Sequence, residues 1–101
     1  MSEYRLTRLA VSDLKSISEY SVRRWGLEQN ERYLEELQKI LNLLAANPAL
    51  GRACYNIREG YRRMEHGRHV VFYRVPASGE GIEVIRVLHE RMLPKEQFSK
   101  P

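Results

Sequence analysis

The sequence predicts an α+β domain: an N-terminal strand, an antiparallel two-helix hairpin and an antiparallel sheet on which the hairpin packs, in the order β-α-α-β-β-β. Three observations carry this. Apolar residues recur at three- and four-residue spacing from about residue 8 to residue 46, as in helices with one face to bury. After Gly51 the period shortens to two, as half-buried strands require. The breaks between the later segments are short, "HG" at 66–67 and "PASGEG" at 76–81, so successive strands turn straight back on one another. Helices first and strands later give an α+β layer structure, not alternating βαβ units.

Each element has a local reason. In "EYRLTRL", Tyr4 and Leu6 alternate with Arg5 and Thr7, which suits a short first strand. Thr7 is the expected N-cap of a helix running to about Arg24, with Val11, Leu14, Ile17 and Tyr20 or Ser21 as its apolar stripe. Gly26 in "WG" closes that helix by taking a left-handed conformation. A second helix follows from Leu27 or Glu28 to Ala46. Tyr33, Leu34, Leu37, Ile40, Leu41 and Leu44 face inward, and "NP" at 47–48 ends it. A link of two or three residues folds the helices into an antiparallel hairpin.

The later strands are expected in "YNIREGYRRMEH", "RHVVFYRV" and "GIEVIRVLHE". Strict alternation along the last of these puts Ile85 and Val87 against the helices. It sends Val84, Arg86 and Leu88 to the opposite, open face beside Phe72 and Arg74, joined by Arg62 or Arg63. Arginines mixed with large apolar side chains on an open face are the composition of an interface.

Composition narrows the function classes. The 101 residues fit one domain, residues 1–101, with 43% hydrophobic and 30% charged residues, as in ordinary globular chains. The longest apolar runs are a few residues, so no membrane helix or signal-peptide core is expected. A single Cys54 precludes an internal disulfide and suits a reducing cytoplasm; it has no base nearby in sequence to make it a nucleophile. Charge is uneven: residues 1–51 balance, whereas residues 52–91 carry eight Arg and no Lys against five Glu. Arg without Lys favours flat, bidentate pairing with carboxylate or phosphate.

His66, His69 and His89 show no paired-ligand spacing, so neither a metal nor another cofactor is expected. Phosphodiester cleavage needs an acid, a base and cations converging on one phosphate. His89 stands three residues from Arg86, and an odd offset on a strand sends the two to opposite faces unless a bulge intervenes. No catalytic residue is assigned. Trp25 either packs on Leu27 or Tyr33 or anchors a partner at the hairpin tip.

Taken in order, "DLKSISEYSVRRWG" at 13–26, "NPALGRACYNIREGYRRMEHGRHVVFYRV" at 47–75 and "IEVIRVLHERM" at 82–92 resemble the ParE toxins of the ParE/RelE toxin superfamily. The likeness spans about Tyr4 to Met92. One departure is Arg8, where members often carry Pro. The resemblance implies the RelE/ParE-like form of the same fold and the toxic half of a toxin–antitoxin pair. It further implies neutralisation by a ParD-type antitoxin and inhibition of DNA gyrase, with nucleic acid engaged only through gyrase. On this basis Trp25, Leu34, Leu41, Arg62, Phe72, Arg74 and Arg86 are expected to bind antitoxin. His89, Arg91, Met92 and Phe98 are expected to contact gyrase. The competing expectations are a RelE-like ribosome-dependent mRNA endonuclease and a basic nucleic-acid-binding module, the latter without a recognition helix or stacking motif.

Overall fold

The computed structural model describes residues 3–54 and 57–91. β1 (Tyr4–Leu6) leads through Thr7 into α1 (Arg8–Trp25), and Gly26 alone separates α1 from α2 (Leu27–Ala46). A 3₁₀ turn at Pro48–Leu50 is followed by β2 (Arg52–Ala53), β3 (Arg62–His66), β4 (His69–Arg74) and β5 (Ile82–His89). The predicted hairpin and sheet are both present.

The link between the helices is a single residue, shorter than the two or three expected. Gly26 has φ +92° and ψ 166°, a region essentially reserved for glycine. Its N–H donates to Val22 O while its carbonyl accepts from Asn30 N, so one residue ends one helix and starts the next. Asn30 Nδ2 then donates to Ser18 Oγ at 2.9 Å, pinning the two helices near the tip.

α1 buries most of the expected stripe, with Ala10 in place of Val11 and Ser21 in place of Tyr20. Ala10 and Ser21 are buried with Leu14 and Ile17 half-buried, whereas Val11 and Tyr20 are exposed. Small side chains at the contact let the helix lie close to its neighbours, so side-chain bulk alone misplaces the face. α2 contributes Leu37, Leu41, Leu44 and Ala45 to the core. Leu41 is therefore interior and not open to an antitoxin as expected, whereas Leu43 is half exposed.

Among the described residues the sheet order is β1-β5-β4-β3-β2. β1 lies parallel to β5, with Tyr4 beside Ile82 and Leu6 beside Val84, and the remaining pairs are antiparallel. The sheet is thus mixed at one edge. Short turns force antiparallel pairing only between strands they join, and β1 is separated from β5 by most of the chain. The segment before Arg62, expected to be strand, is a turn over 57–60, where Tyr61 N donates back to Arg58 O.

One sheet face meets the helices through Val71, Tyr73, Ile82, Val84 and Val87. Tyr73 is wholly buried yet satisfied: its hydroxyl donates to Pro48 O at 2.7 Å and accepts from Gly51 N at 2.8 Å. A Cβ on Gly51 would collide with that phenol. The other face carries a second apolar cluster of Cys54, Val70, Phe72 and Leu88, with Ile57 and Tyr61 packed on it. The face expected to be open is closed by the chain's own 57–61 segment, and Phe72 is 0% exposed. Burial pushes the Cys54 thiol pKa up, against Arg63, Arg52 and Arg62, so it remains a packed thiol.

Alternation along β5 is broken once. Phe72 pairs with Arg86 but Tyr73 pairs with Val84, leaving Ile85 as an extra residue, a β-bulge. The bulge reverses the parity upstream of it. Val84 therefore faces the helices, and Ile85 is not part of the buried core, the opposite of what strict alternation assigns.

Candidate partner-binding cleft

Arg86 and His89 sit three residues apart on β5, downstream of the bulge, so alternation holds between them. Arg86 is opposite Phe72 of the far-face cluster, and His89 is opposite His69, which faces α2. They lie on contrary sides of the strand.

Arg86 is held within the structure. Its Nε donates to Asp13 Oδ2 and its Nη2 to Asp13 Oδ1, both at 2.8 Å, and Val87 N donates to the same Oδ2 at 3.0 Å. The two side chains are only 11% and 12% exposed. Asp13 lies on α1 because β1 is too short to accompany all of β5. Beyond Leu6 the helix takes over that edge, with Thr7 N on Val84 O and Thr7 Oγ1 donating to Ile85 O at 2.8 Å. Thr7 Oγ1 also accepts from Ala10 N, so the predicted cap residue ties the helix start to the bulge. The hydrogen bonds to Asp13 raise the Arg86 pKa further, and the guanidinium stays charged and engaged.

The other predicted interface arginines are also engaged. Arg62 Nη1 donates to Gly51 O at 2.6 Å, and Arg74 pairs with Glu83 at 2.8 Å on the surface. With Phe72 and Leu88 buried, Val84 turned inward and Arg86 paired, the expected Arg-rich open face is not a continuous surface. Leu34 is half-buried on α2.

A different surface gathers unassigned groups. The two-residue turn Gly67–Arg68 sets His66 opposite His69, and His69 is in turn opposite His89, so three imidazoles form a row across β3, β4 and β5. Tyr33 of α2 lies over this row, 4.8 Å from the His66 ring and 5.6 Å from the His69 ring. His69 meets His89 edge to face at 5.5 Å. Tyr33 Oη donates to His66 O at 3.0 Å and is in hydrogen-bond contact with His69 Nδ1 at 2.5 Å. His89 Nδ1 accepts from Arg91 N at 3.1 Å.

Burial, then Glu36, pushes the Tyr33 pKa up to about 12, so the phenol keeps its proton. Burial, with His89 and His66 nearby, holds His69 below the usual imidazole pKa despite Glu90, so it is neutral at pH 7. Among the described residues, no group of His, Cys, Asp and Glu is arranged to hold a metal ion.

His69 and His89 of this row, with the Gly67–Arg68 turn, form one wall of a cleft of about 520 Å³, whose other wall is the hairpin tip. Arg24, Arg68 and Arg91 line it together with Trp25 and Tyr20. Trp25 is 57% exposed, so much of its ring is open to a partner, and the Arg24 guanidinium lies 5.6 Å from its ring centre. No carboxylate lines the cleft among the described residues; Glu90 reaches Arg68 only loosely, at 3.9 Å. A depression on α1 lined by Lys15, Ser18, Glu19, Val22 and Arg23 is the outer surface of one helix and converges on nothing.

Trp25, His89 and Arg91, expected to serve two different partners, thus meet in one cleft, while Leu41, Phe72 and Arg86 lie inside the fold. Met92 and Phe98 lie outside the described residues. Sequence reading missed Tyr33, His69, Arg24 and Arg68 as a group. The available signal was the two-residue turn, which fixes His66 beside His69 once hairpin register is written out.

A helical hairpin on a mixed five-stranded sheet, with an arginine-lined cleft at its tip, makes a small α+β protein with a basic binding surface. The chain belongs to the ParE toxin family: the model for "ParE toxin of type II toxin-antitoxin system, parDE" matches residues 4–94. It is 50% identical over 92 residues to Toxin ParE1 of Mycobacterium tuberculosis, covering 90% of this chain and 92% of that one. It is 49% identical to Toxin ParE1 of Caulobacter vibrioides over 91% and 93% of the two chains, and 35% identical to Toxin ParE of Escherichia coli over 91% and 88%. A solved structure described as "Chromosomal ParDE TA system from P. aeruginosa" superposes with a TM-score of 0.71 at 25% identity, covering 88% of this chain and 96% of that one. The family read from the sequence motifs is the family found.

Proposed function

We propose that this type II toxin acts in the cytoplasm by inhibiting DNA gyrase, and so DNA replication, without breaking a bond itself, and that a ParD-type antitoxin neutralises it. Membership of the ParE toxin family and the relation to a ParDE system support the partner and target classes. The observation that carries the non-enzymatic reading is the Asp13–Arg86 pair. The β5 guanidinium best placed by sequence to meet a phosphate is bidentate to a buried carboxylate and lies on the opposite side of the strand from His89. Transition-state stabilisation needs cations and an acid–base pair around one phosphate, an arrangement these positions do not give. No helix among the described residues is long and apolar enough to cross a membrane.

The test pairs two assays on the purified protein. Supercoiling and cleavage assays with gyrase are expected to show lost supercoiling and gyrase-linked DNA breaks, both suppressed by added antitoxin. In a translating extract transcripts are expected to stay intact. Shortened transcripts with gyrase untouched would replace this reading with the RelE-like mRNA endonuclease.

A further inference from the structure

We propose that the cleft between the hairpin tip and the β3–β4 turn receives an acidic segment of the antitoxin, with carboxylates on Arg24, Arg68 and Arg91 and an apolar side chain against Trp25. This rests on the antitoxin reading above and adds to it the site and the chemistry of the grip.

Three guanidinium groups line one concave surface with no carboxylate among its described lining residues. Among the described residues Arg24 and Arg91 have no acidic partner, and the Arg68–Glu90 separation of 3.9 Å leaves Arg68 weakly engaged. Several arginines of the sheet are committed instead: Arg52 and Arg63 to Glu65, Arg74 to Glu83, Arg86 to Asp13. Like charges gathered without counter-charge are unfavourable for the isolated chain and favour an anionic partner.

The apolar surroundings of the cleft suit a polypeptide better than a nucleic acid. Tyr20, Trp25 and Leu27, at 58%, 57% and 68% exposure, extend an apolar surface from the lip of the cleft around the hairpin tip. Leucine offers no stacking plane for a base, and Arg24 already lies over the indole. A segment alternating acidic and apolar side chains matches both features, and Trp and Arg are the residue types that most often dominate protein interfaces. The cleft is also preformed. Tyr33, held by His66 O and His69, fixes its floor, which lowers the ordering cost of binding.

The experiment measures antitoxin binding to the full chain at low and high salt, for the wild type, Arg24→Glu with Arg68→Glu, and Trp25→Ala. These side chains are exposed, and circular dichroism reports whether the fold is kept. Hydrogen exchange of the wild-type complex gives a readout independent of any variant. The charge reversal is expected to weaken binding at least tenfold, mainly through a slower association that loses its salt dependence. Trp25→Ala is expected to speed dissociation, and amides at 67–69 are expected to gain protection in the complex. Affinities within twofold of wild type, with no protection at that turn, would overturn the proposal while leaving the toxin–antitoxin pairing intact. A short single-stranded oligonucleotide that binds the wild type and not the charge-reversed variant, with antitoxin binding unaffected, would overturn it in favour of nucleic acid. Failure of the wild type to bind antitoxin at all would remove the pairing on which it stands.

Discussion

Two ends of β5 use the same residue types in opposite ways. At Arg86 a guanidinium is sealed against Asp13, with both oxygens and a backbone N–H accounted for. A few residues on, His89 and Arg91 join Arg24 and Arg68 in a cleft that no carboxylate lines among the described residues. The first is a seam between α1 and the sheet edge, and the second is a surface awaiting counter-charge. The difference shows that an arginine-rich strand is not in itself a binding face. What decides is whether the fold brings a carboxylate to each arginine.

The largest test of this contrast is Arg86→Ala. Removing one partner strands a nearly buried carboxylate, and urea denaturation is expected to show a loss of about 3–5 kcal/mol. A loss under about 1 kcal/mol would mean the seam is no more than a surface pair. Next comes Tyr73→Phe, which orphans Pro48 O and Gly51 N in one step. A loss of about 2 kcal/mol in the same measurement is expected, with a native far-ultraviolet spectrum.

A pH titration separates the cleft from the seam. His69 has a folded pKa below its unfolded value of about 6.5, so the unfolded chain binds more protons in that window. Its contribution is fully present above about pH 6.5 and is lost as the pH falls through the lower folded value. The urea midpoint of the wild type is therefore expected to fall on acidification from pH 7.5 to 5.5. The slope should flatten in His69→Gln, and an unchanged slope would remove the imidazole row from the account. The smallest effect is expected for Arg74→Gln, whose partner Glu83 is paired at the surface. A change within about 0.5 kcal/mol is expected, and a loss near that of Arg86→Ala would erase the distinction between paired surface arginines and the seam.

Much of the fold was legible along the chain. Thr7 as a cap, the helix break at Gly26, the stop at Asn47–Pro48 and the change of period after Gly51 are local effects of backbone chemistry, and each appears where residue type requires it. The site was less legible. Predicting its residues from strict alternation failed at one inserted residue, Ile85, because a bulge costs a single position in sequence and reverses a whole face in space. Trp25, His89 and Arg91 were readable as contact candidates, but not that they share a cleft.

By itself, then, the sequence determined the helices, the strands, their short connections and the family, since each depends on neighbours within a few residues or on motifs in fixed order. Only the tertiary structure decided which arginines are spent. Asp13 lies 73 residues from Arg86, and Tyr33 lies 36 from His69. Whether a charge is satisfied depends on what long-range packing sets beside it, and no local pattern encodes that distance.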